Sequence, residues 1–252
     1  MKTSILSIRG GKHYLLDEIV GIYNATGGYP KVVDVFGGSG QVLLNLKSPY
    51  KVYNDIDEEL VNIFNIILDN TDELIHLLQT TPPDRDIFNS FRHSTKTNDN
   101  IESAFRYLYV NTLTYAGRMD YPSFFPLNIR KYINLPDKIL EFKSECKNWI
   151  IENLDFETVI RMYDDITTFF YLDPPYLGYK WYKYSFTLSD MVRLSRTIKK
   201  MKGSYILNTI YNEDHVNILG EPDYIKEYTT LLDKSRPKRK ESFYISLNNL
   251  NI

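Results

Sequence analysis

Four consecutive residues, Asp173, Pro174, Pro175 and Tyr176, follow the run TTFFYL at 167–172. An acid, two prolines and an aromatic at the end of an apolar run could do a particular kind of chemistry. The exocyclic amine of a nucleobase is a poor nucleophile, because its lone pair is delocalised into the ring. Two acceptors at its hydrogens favour a pyramidal nitrogen whose lone pair points at an electrophile. Asp173 supplies one acceptor and the Pro174 carbonyl can supply the other, its direction fixed because proline holds φ near about −65°. Tyr176 can stack on a base turned out of its duplex, as chemistry on a base requires. The plainer alternative is punctuation, since proline has no N–H to give a sheet ladder.

Three further acids stand after apolar runs. Asp34 lies in KVVDVF (31–36), which runs into GGSG, so Gly37, Gly38 and Gly40 make a tight turn that a ligand can approach closely. A dinucleotide fingerprint would want glycine at position 43, and Leu43 is there, so a nucleoside without diphosphate fits better than a dinucleotide. Asp55, at the end of KVYNDI (51–56), can accept both ribose hydroxyls of a nucleoside. It or Asp57 can instead cap the following helix. Asp155 with Phe156 can bond an adenine amino group and pack against its ring, or serve as a helix cap followed by a core residue.

These residues need a sheet whose strands end on one side. KVVDVF, KVYNDI, NWIIENL (148–154), TTFFYL and SYILNTI (204–210) read as strands, with helical patterns between them, the signature of parallel βα units. DYIKEYTT and SFYISL are joined by LLDKSRPKRKE, too short for a helical crossover, which predicts an antiparallel pair. The fold expected is α/β, a Rossmann-like, seven-stranded, mostly parallel sheet with a terminal antiparallel hairpin. The alternation stops between about 75 and 145, where helical patterns (IFNSFRH, IESAFRYLYVNTLTYAG) precede an irregular RMDYPSFFPLNIRKYINLP (118–136). Residues 75–145 therefore read as a mainly helical insertion, with 1–74 and 146–252 forming the catalytic domain.

Composition narrows the class. The 252 residues are 43 % hydrophobic and 25 % charged, ordinary for a protein with a sizeable core. No apolar run approaches the ~18 residues of a membrane span, and the first residues do not read as a secretory signal. One cysteine, Cys146, fits a reducing cytoplasm and a packing role. The four histidines show no metal-ligand spacing, so no metal is expected. A net charge of −2 argues against indiscriminate polyanion binding but not against a basic face.

DPPY after a strand, DVFGGSG near the start and NDID between them resemble the DNA adenine-N6 methyltransferases of the Dam type, over nearly the whole chain and most closely the compact phage-type members. RGGKHYLLDEI (9–19) resembles the family's GGK segment, with Lys12 as the lysine that touches the methyl donor. The family's aromatic four residues earlier is Ile8 here. YSFTLSD (184–190) resembles the segment that follows DPPY. The resemblance implies S-adenosylmethionine as donor, with Asp34 and Phe36 at its methionine end, Asp55 and Ile56 at its ribose and adenine, and Asp155 and Phe156 at the adenine. It implies double-stranded DNA as partner and residues 75–145 as target-recognition domain. There TYAGRMDYPSFFPLNIRKY departs from the family pattern, with Arg118 and Arg130 as base or phosphate readers. A cognate restriction endonuclease is a further candidate partner, and a monomer or weak dimer is expected. Lys238 and Arg239, in the basic run Lys234–Lys240, suit phosphate contacts or a solvated loop. The alternatives to adenine-N6 transfer to DNA are cytosine-N4 or RNA adenine methylation, or a catalytically idle DNA-binding relative.

Overall fold

The computed structural model describes residues 1–8, 10–179, 183–228 and 239–247. Seven strands form one sheet: β1 (Lys31–Asp34), β2 (Tyr50–Asn54), β3 (Trp149–Glu152), β4 (Thr168–Leu172), β5 (Ser204–Ile210), β6 (Tyr224–Tyr228) and β7 (Arg239–Ser246). Their order is β3-β2-β1-β4-β5-β7-β6, with β3 to β5 parallel through β2, β1 and β4, and β7 antiparallel to both of its neighbours. The expected parallel sheet with a terminal antiparallel pair is what forms.

The chain lays β1, β2 and β3 outward in one direction, then returns to place β4 on the other side of β1. The order thus reverses between β1 and β4, the topological switch point where open α/β sheets bind ligands beyond their carboxyl ends. Asp34 pairs in register with Tyr171, two residues before Asp173.

Successive strand residues point to opposite faces, so each strand feeds two cores. Val32, Tyr53, Phe169 and Tyr171 join one core, and Val33, Val52, Phe170 and Leu172 the other. The first core is shared with α1 (Leu16–Ala25), α2 (Gln41–Asn45), α3 (Glu58–Asp69), α4 (Thr71–Thr80), α5 (Arg85–Phe91), α6 (Asn100–Leu113), α7 (Ile129–Ile133) and α8 (Leu135–Cys146). The second is covered by α9 (Phe156–Tyr163), α10 (Leu188–Ile198) and α11 (Glu213–Leu219). Cys146 is buried in the first core, where burial pushes its thiol up to about 12.

Three expectations need adjustment. KVVDVF, KVYNDI and NWIIENL stop being strand at Asp34, Asn54 and Glu152, because the chain leaves the sheet there to build the loops of the site. The stretch 118–136 is irregular only to 128. Pro136 lies in the first turn of α8, where a missing N–H costs nothing, so it opens a helix rather than breaking one. Helix α4 runs across the expected boundary at 74/75.

The strand ends are tied by one buried side chain. Asn54 Nδ2 donates to the Val35 and Leu154 carbonyls at 2.9 and 3.1 Å, and its Oδ1 accepts from Leu154 N at 2.9 Å. It therefore joins the loops after β1 and β3 to the end of β2. Asn54→Leu keeps the volume but strands these backbone groups, at a cost of about 1–3 kcal/mol for each left unsatisfied. Chemical denaturation should show a loss in that range or more, and unchanged stability would remove Asn54 from this role.

Candidate active site

A cavity of about 750 Å³ opens at the carboxyl ends of β1, β2 and β4. The expected residues Ile8, Lys12, Asp34, Phe36, Gly37, Gly38, Asp55, Ile56, Asp155, Phe156 and Asp173 all line it. Residues from the stretch 92–120, including Arg92, His93 and Tyr107, and residues after DPPY, including Lys183, Tyr184 and Phe186, complete the wall.

The glycine turn is shaped by close packing. A Cβ at Gly37 would stand 2.3 Å from the Tyr53 ring, so no side chain fits there. Gly37 N donates to Asn54 O at 2.7 Å, and Gly38 N to Asp55 Oδ2 at 2.8 Å. Asp55 Oδ1 accepts from Asp57 N at 2.9 Å. Asp55 thus straps the turn to β2, while Asp57 caps α3 by accepting from Glu59 N at 3.0 Å. The cap belongs to Asp57, and Asp55 is left at the cavity. Gly40 does not line it: at φ +70° it starts α2, and a Cβ there would meet the Phe64 ring at 3.1 Å.

Asp34 is 1 % exposed, and among the described residues its Oδ1 has no hydrogen-bond partner. Burial holds its carboxyl well above the ordinary range, and the nearby Asp173 and Asp55 carboxylates push the same way. Burial also lifts Asp55 to about 6, against the opposing N–H groups of Asp57 and Gly38. Asp173 is lifted to about 6 by burial, with Lys12 opposing and Glu241 adding to the rise. Lys12, 3 % exposed, makes an ion pair with Asp173 Oδ1 at 2.8 Å. An orphaned buried carboxylate oxygen and a turn with no room for a side chain fit a ligand that brings cationic or N–H groups to this wall.

On the far wall, Phe156 packs with Phe36 and Phe186 at centroid distances of 5.8 and 5.7 Å. Asp155 both caps α9, accepting from Glu157 N at 3.0 Å, and pairs with Arg193 Nη2 at 2.6 Å. Asp155 is thus a helix cap, and Phe156 lines the cavity beside it.

Two expected site residues fall off the cavity wall. Tyr176 is 6 % exposed and not on the cavity wall; Lys12 Nζ sits 4.8 Å from its ring centroid and Tyr179 packs at 5.8 Å. Pro175 lines the wall instead. Pro174 is buried off the wall. Arg118 and Arg130 are exposed and in no ion pair among the described residues; Gly117 and Met119, on either side of Arg118, line the cavity. Lys238 and the side chain of Arg239 lie outside the described residues, whereas Lys240 pairs across the strands with Glu227 at 3.0 Å.

Sequence reading missed Lys183. It pairs with Asp57 and Glu59 at 2.8 Å each and with Glu58 at 3.3 Å, and Tyr184 bonds Glu58. The acids that open α3 thereby hold the segment after DPPY across the cavity. An acidic first turn was visible in the sequence; its cationic partner more than a hundred residues away was not.

Set beside known proteins, residues 9–244 match the D12 class N6 adenine-specific DNA methyltransferase family. The chain is 24 % identical to the type II methyltransferase M.MjaIII of Methanocaldococcus jannaschii, over 93 % of this chain and 94 % of that protein. It is 26 % identical to the type II methyltransferase M.CviBI of Paramecium bursaria Chlorella virus NC1A, over 77 and 75 % of the two chains. Similarity to the DNA adenine methylase of Escherichia coli is 25 % identity over 84 % of this chain and 81 % of that one. The chain belongs to the D12 class: it is an adenine-specific DNA methyltransferase, and its family implies S-adenosylmethionine as methyl donor. Among the described residues no helix is long and apolar enough to cross a membrane, and no cluster of three potential metal ligands occurs.

Asp34 yields a test that separates folding from binding. A carboxyl whose folded pKa is raised favours folding below its ordinary pKa, and that contribution is lost as pH rises through the folded value. Asn cannot ionise, so Asp34→Asn should hold its Tm better than wild type as pH rises above the ordinary carboxylate range. Its affinity for S-adenosylmethionine should fall by roughly 1.5–3 kcal/mol, the worth of a charge-assisted hydrogen bond. A variant with wild-type affinity would take Asp34 out of the donor site.

Proposed function

We propose that the chain methylates N6 of an adenine flipped out of duplex DNA, at a short sequence chosen by residues 75–145, with Asp173 as the acceptor that holds the amine. The observation that carries this reading is Asp173 itself. It ends the central strand β4 at the switch point, lines the cavity, and has one carboxylate oxygen engaged by Lys12. The other oxygen is the acceptor for an N6 hydrogen. When bound, S-adenosylmethionine supplies a methyl group on a cationic sulfur. Asp34, Phe36 and the Gly37–Gly38 turn bind its methionine end, Asp55 and Ile56 its ribose and adenine, and Asp155 and Phe156 its adenine. No metal enters this account.

Holding the amine matters most as the nitrogen becomes pyramidal, so Asp173 acts in the transition state more than in the ground state. Arg118 and Arg130, exposed cations on the insertion, are the base or phosphate readers. The similarity to type II methyltransferases supports a cognate restriction endonuclease acting at the same site.

Single-turnover methylation of duplex DNA, with donor affinity measured alongside, tests the reading. Asp173→Ala should fold and bind S-adenosylmethionine, yet lose about 10²–10³-fold or more in rate, as expected for one preorganised polar group. Near-normal turnover would reduce DPPY to a turn. In the same assay Arg118→Ala or Arg130→Ala should change relative rates among DNA sites, and unchanged site preference would misplace the readers.

A further inference from the structure

Beneath Asp173 lies a chain of buried groups that the reaction as described does not use. Lys12 Nζ has three protons to give and three acceptors in reach: Asp173 Oδ1 at 2.8 Å, Tyr176 Oη at 2.7 Å and the Gly10 carbonyl at 3.2 Å. An ammonium has no lone pair, so Tyr176 Oη must accept from Lys12 and send its own proton elsewhere. That proton goes to Glu241 Oε1 at 2.7 Å, which also accepts from Tyr14 at 3.0 Å. Glu241 is 1 % exposed and comes from β7, the interior antiparallel strand. Every direction in this chain is forced by which group can donate.

From this geometry we infer that Glu241 is a positioning residue for methyl transfer: by taking the Tyr176 hydroxyl proton it turns that oxygen toward Lys12, and so fixes Lys12 on one oxygen of Asp173 and leaves the other for the amine. Tyr176 is then the link between β7 and the amine clamp. The inference rests on the reading of Asp173 as amine acceptor.

The groups that set Asp173's charge come from several elements. Lys12 approaches from the amino-terminal segment and favours the carboxylate, while Glu241 from β7 opposes it. Asp34 of β1 feels the Asp173 charge, as do Tyr171 of β4 and Tyr176 beyond it. Tyr14 stands on the far side of Glu241. Removing the Glu241 charge while keeping its acceptor should therefore lower the pH at which Asp173 protonates. Removing the Tyr176 hydroxyl loosens Lys12 and should raise it.

The experiment compares wild type, Tyr176→Phe, Glu241→Leu, Glu241→Gln and the Phe/Leu double variant by single-turnover methylation across pH, with donor affinity and Tm. Tyr176→Phe and Glu241→Leu should each slow the plateau rate by about 10- to 100-fold, the usual effect of losing an orienting partner. Donor affinity should change less than the rate. The double variant should be no slower than the slower single one, because both cut the same chain. Glu241→Gln, which keeps an oxygen acceptor, should recover most of the rate lost in Glu241→Leu and move the acid limb to lower pH; Tyr176→Phe should move it to higher pH. Losses that multiply, a Gln variant as slow as the Leu variant, or a folded Leu variant at wild-type rate would each overturn the inference. If Glu241→Leu does not fold, Gln and Tyr176→Phe still decide through the acid limb. Carbon-13 NMR titration of the Asp173 carboxyl, assigned with Asp173→Asn, reads the same ordering without turnover. Unmoved midpoints would sink the inference alone, whereas a wild type that makes no N6-methyladenine would sink the functional reading and the inference with it.

Discussion

The structure turns on a crowding of carboxylates. The parallel register of β1, β2 and β4 brings Asp34, Asp55 and Asp173 to one edge of the sheet, Asp34 fully buried and the other two partly so, close enough for Asp34 to feel both. Burying like charges is costly unless they are paired or neutralised. Lys12 answers for part of it at Asp173, and the N–H groups of Gly38 and Asp57 for part of it at Asp55. Asp34 Oδ1 is left with no such partner among the described residues. Such a site is unfavourable in isolation and favourable around a cationic, hydrogen-bond-donating ligand.

The surrounding fold holds this arrangement in place. Asn54 fixes the strand ends, Tyr53 fills the space that a side chain at position 37 would need, and Lys183 draws the segment after DPPY over the cavity. Each joins parts of the chain far apart in sequence, so the positions of the acids are set by the whole sheet. On the proposed reading the labour divides: Asp34 and Asp55 serve the donor, while Asp173, backed by Lys12, serves the base. Carboxylates alike in chemistry thus receive different tasks from their neighbours.

How legible this was depended on the range of the interaction. All seven strands could be read because apolar β-runs and their flanking turns are local signals, and the acids that end them marked the site edge. The glycine turn was equally local, although Gly40 proves to serve packing against Phe64 rather than the cavity wall. Pro136 misled because a proline looks the same whether it ends a helix or opens one. The burial of Tyr176 was not legible, because nothing near it in sequence announces Lys12 and Glu241 on its hydroxyl. Glu241 was hidden at the edge of a basic run that reads as loop, and only the insertion of β7 between β5 and β6 buries it.

The central claim is that carboxyls held partly protonated by burial await a cationic donor. Isothermal titration of S-adenosylmethionine into the protein at about pH 6.5, in two buffers of different ionisation enthalpy, counts the protons exchanged on binding. The account predicts net proton release, because the arriving cation favours the charged forms of Asp34, Asp55 and Asp173. Binding with no proton exchange, or with proton uptake, would contradict it.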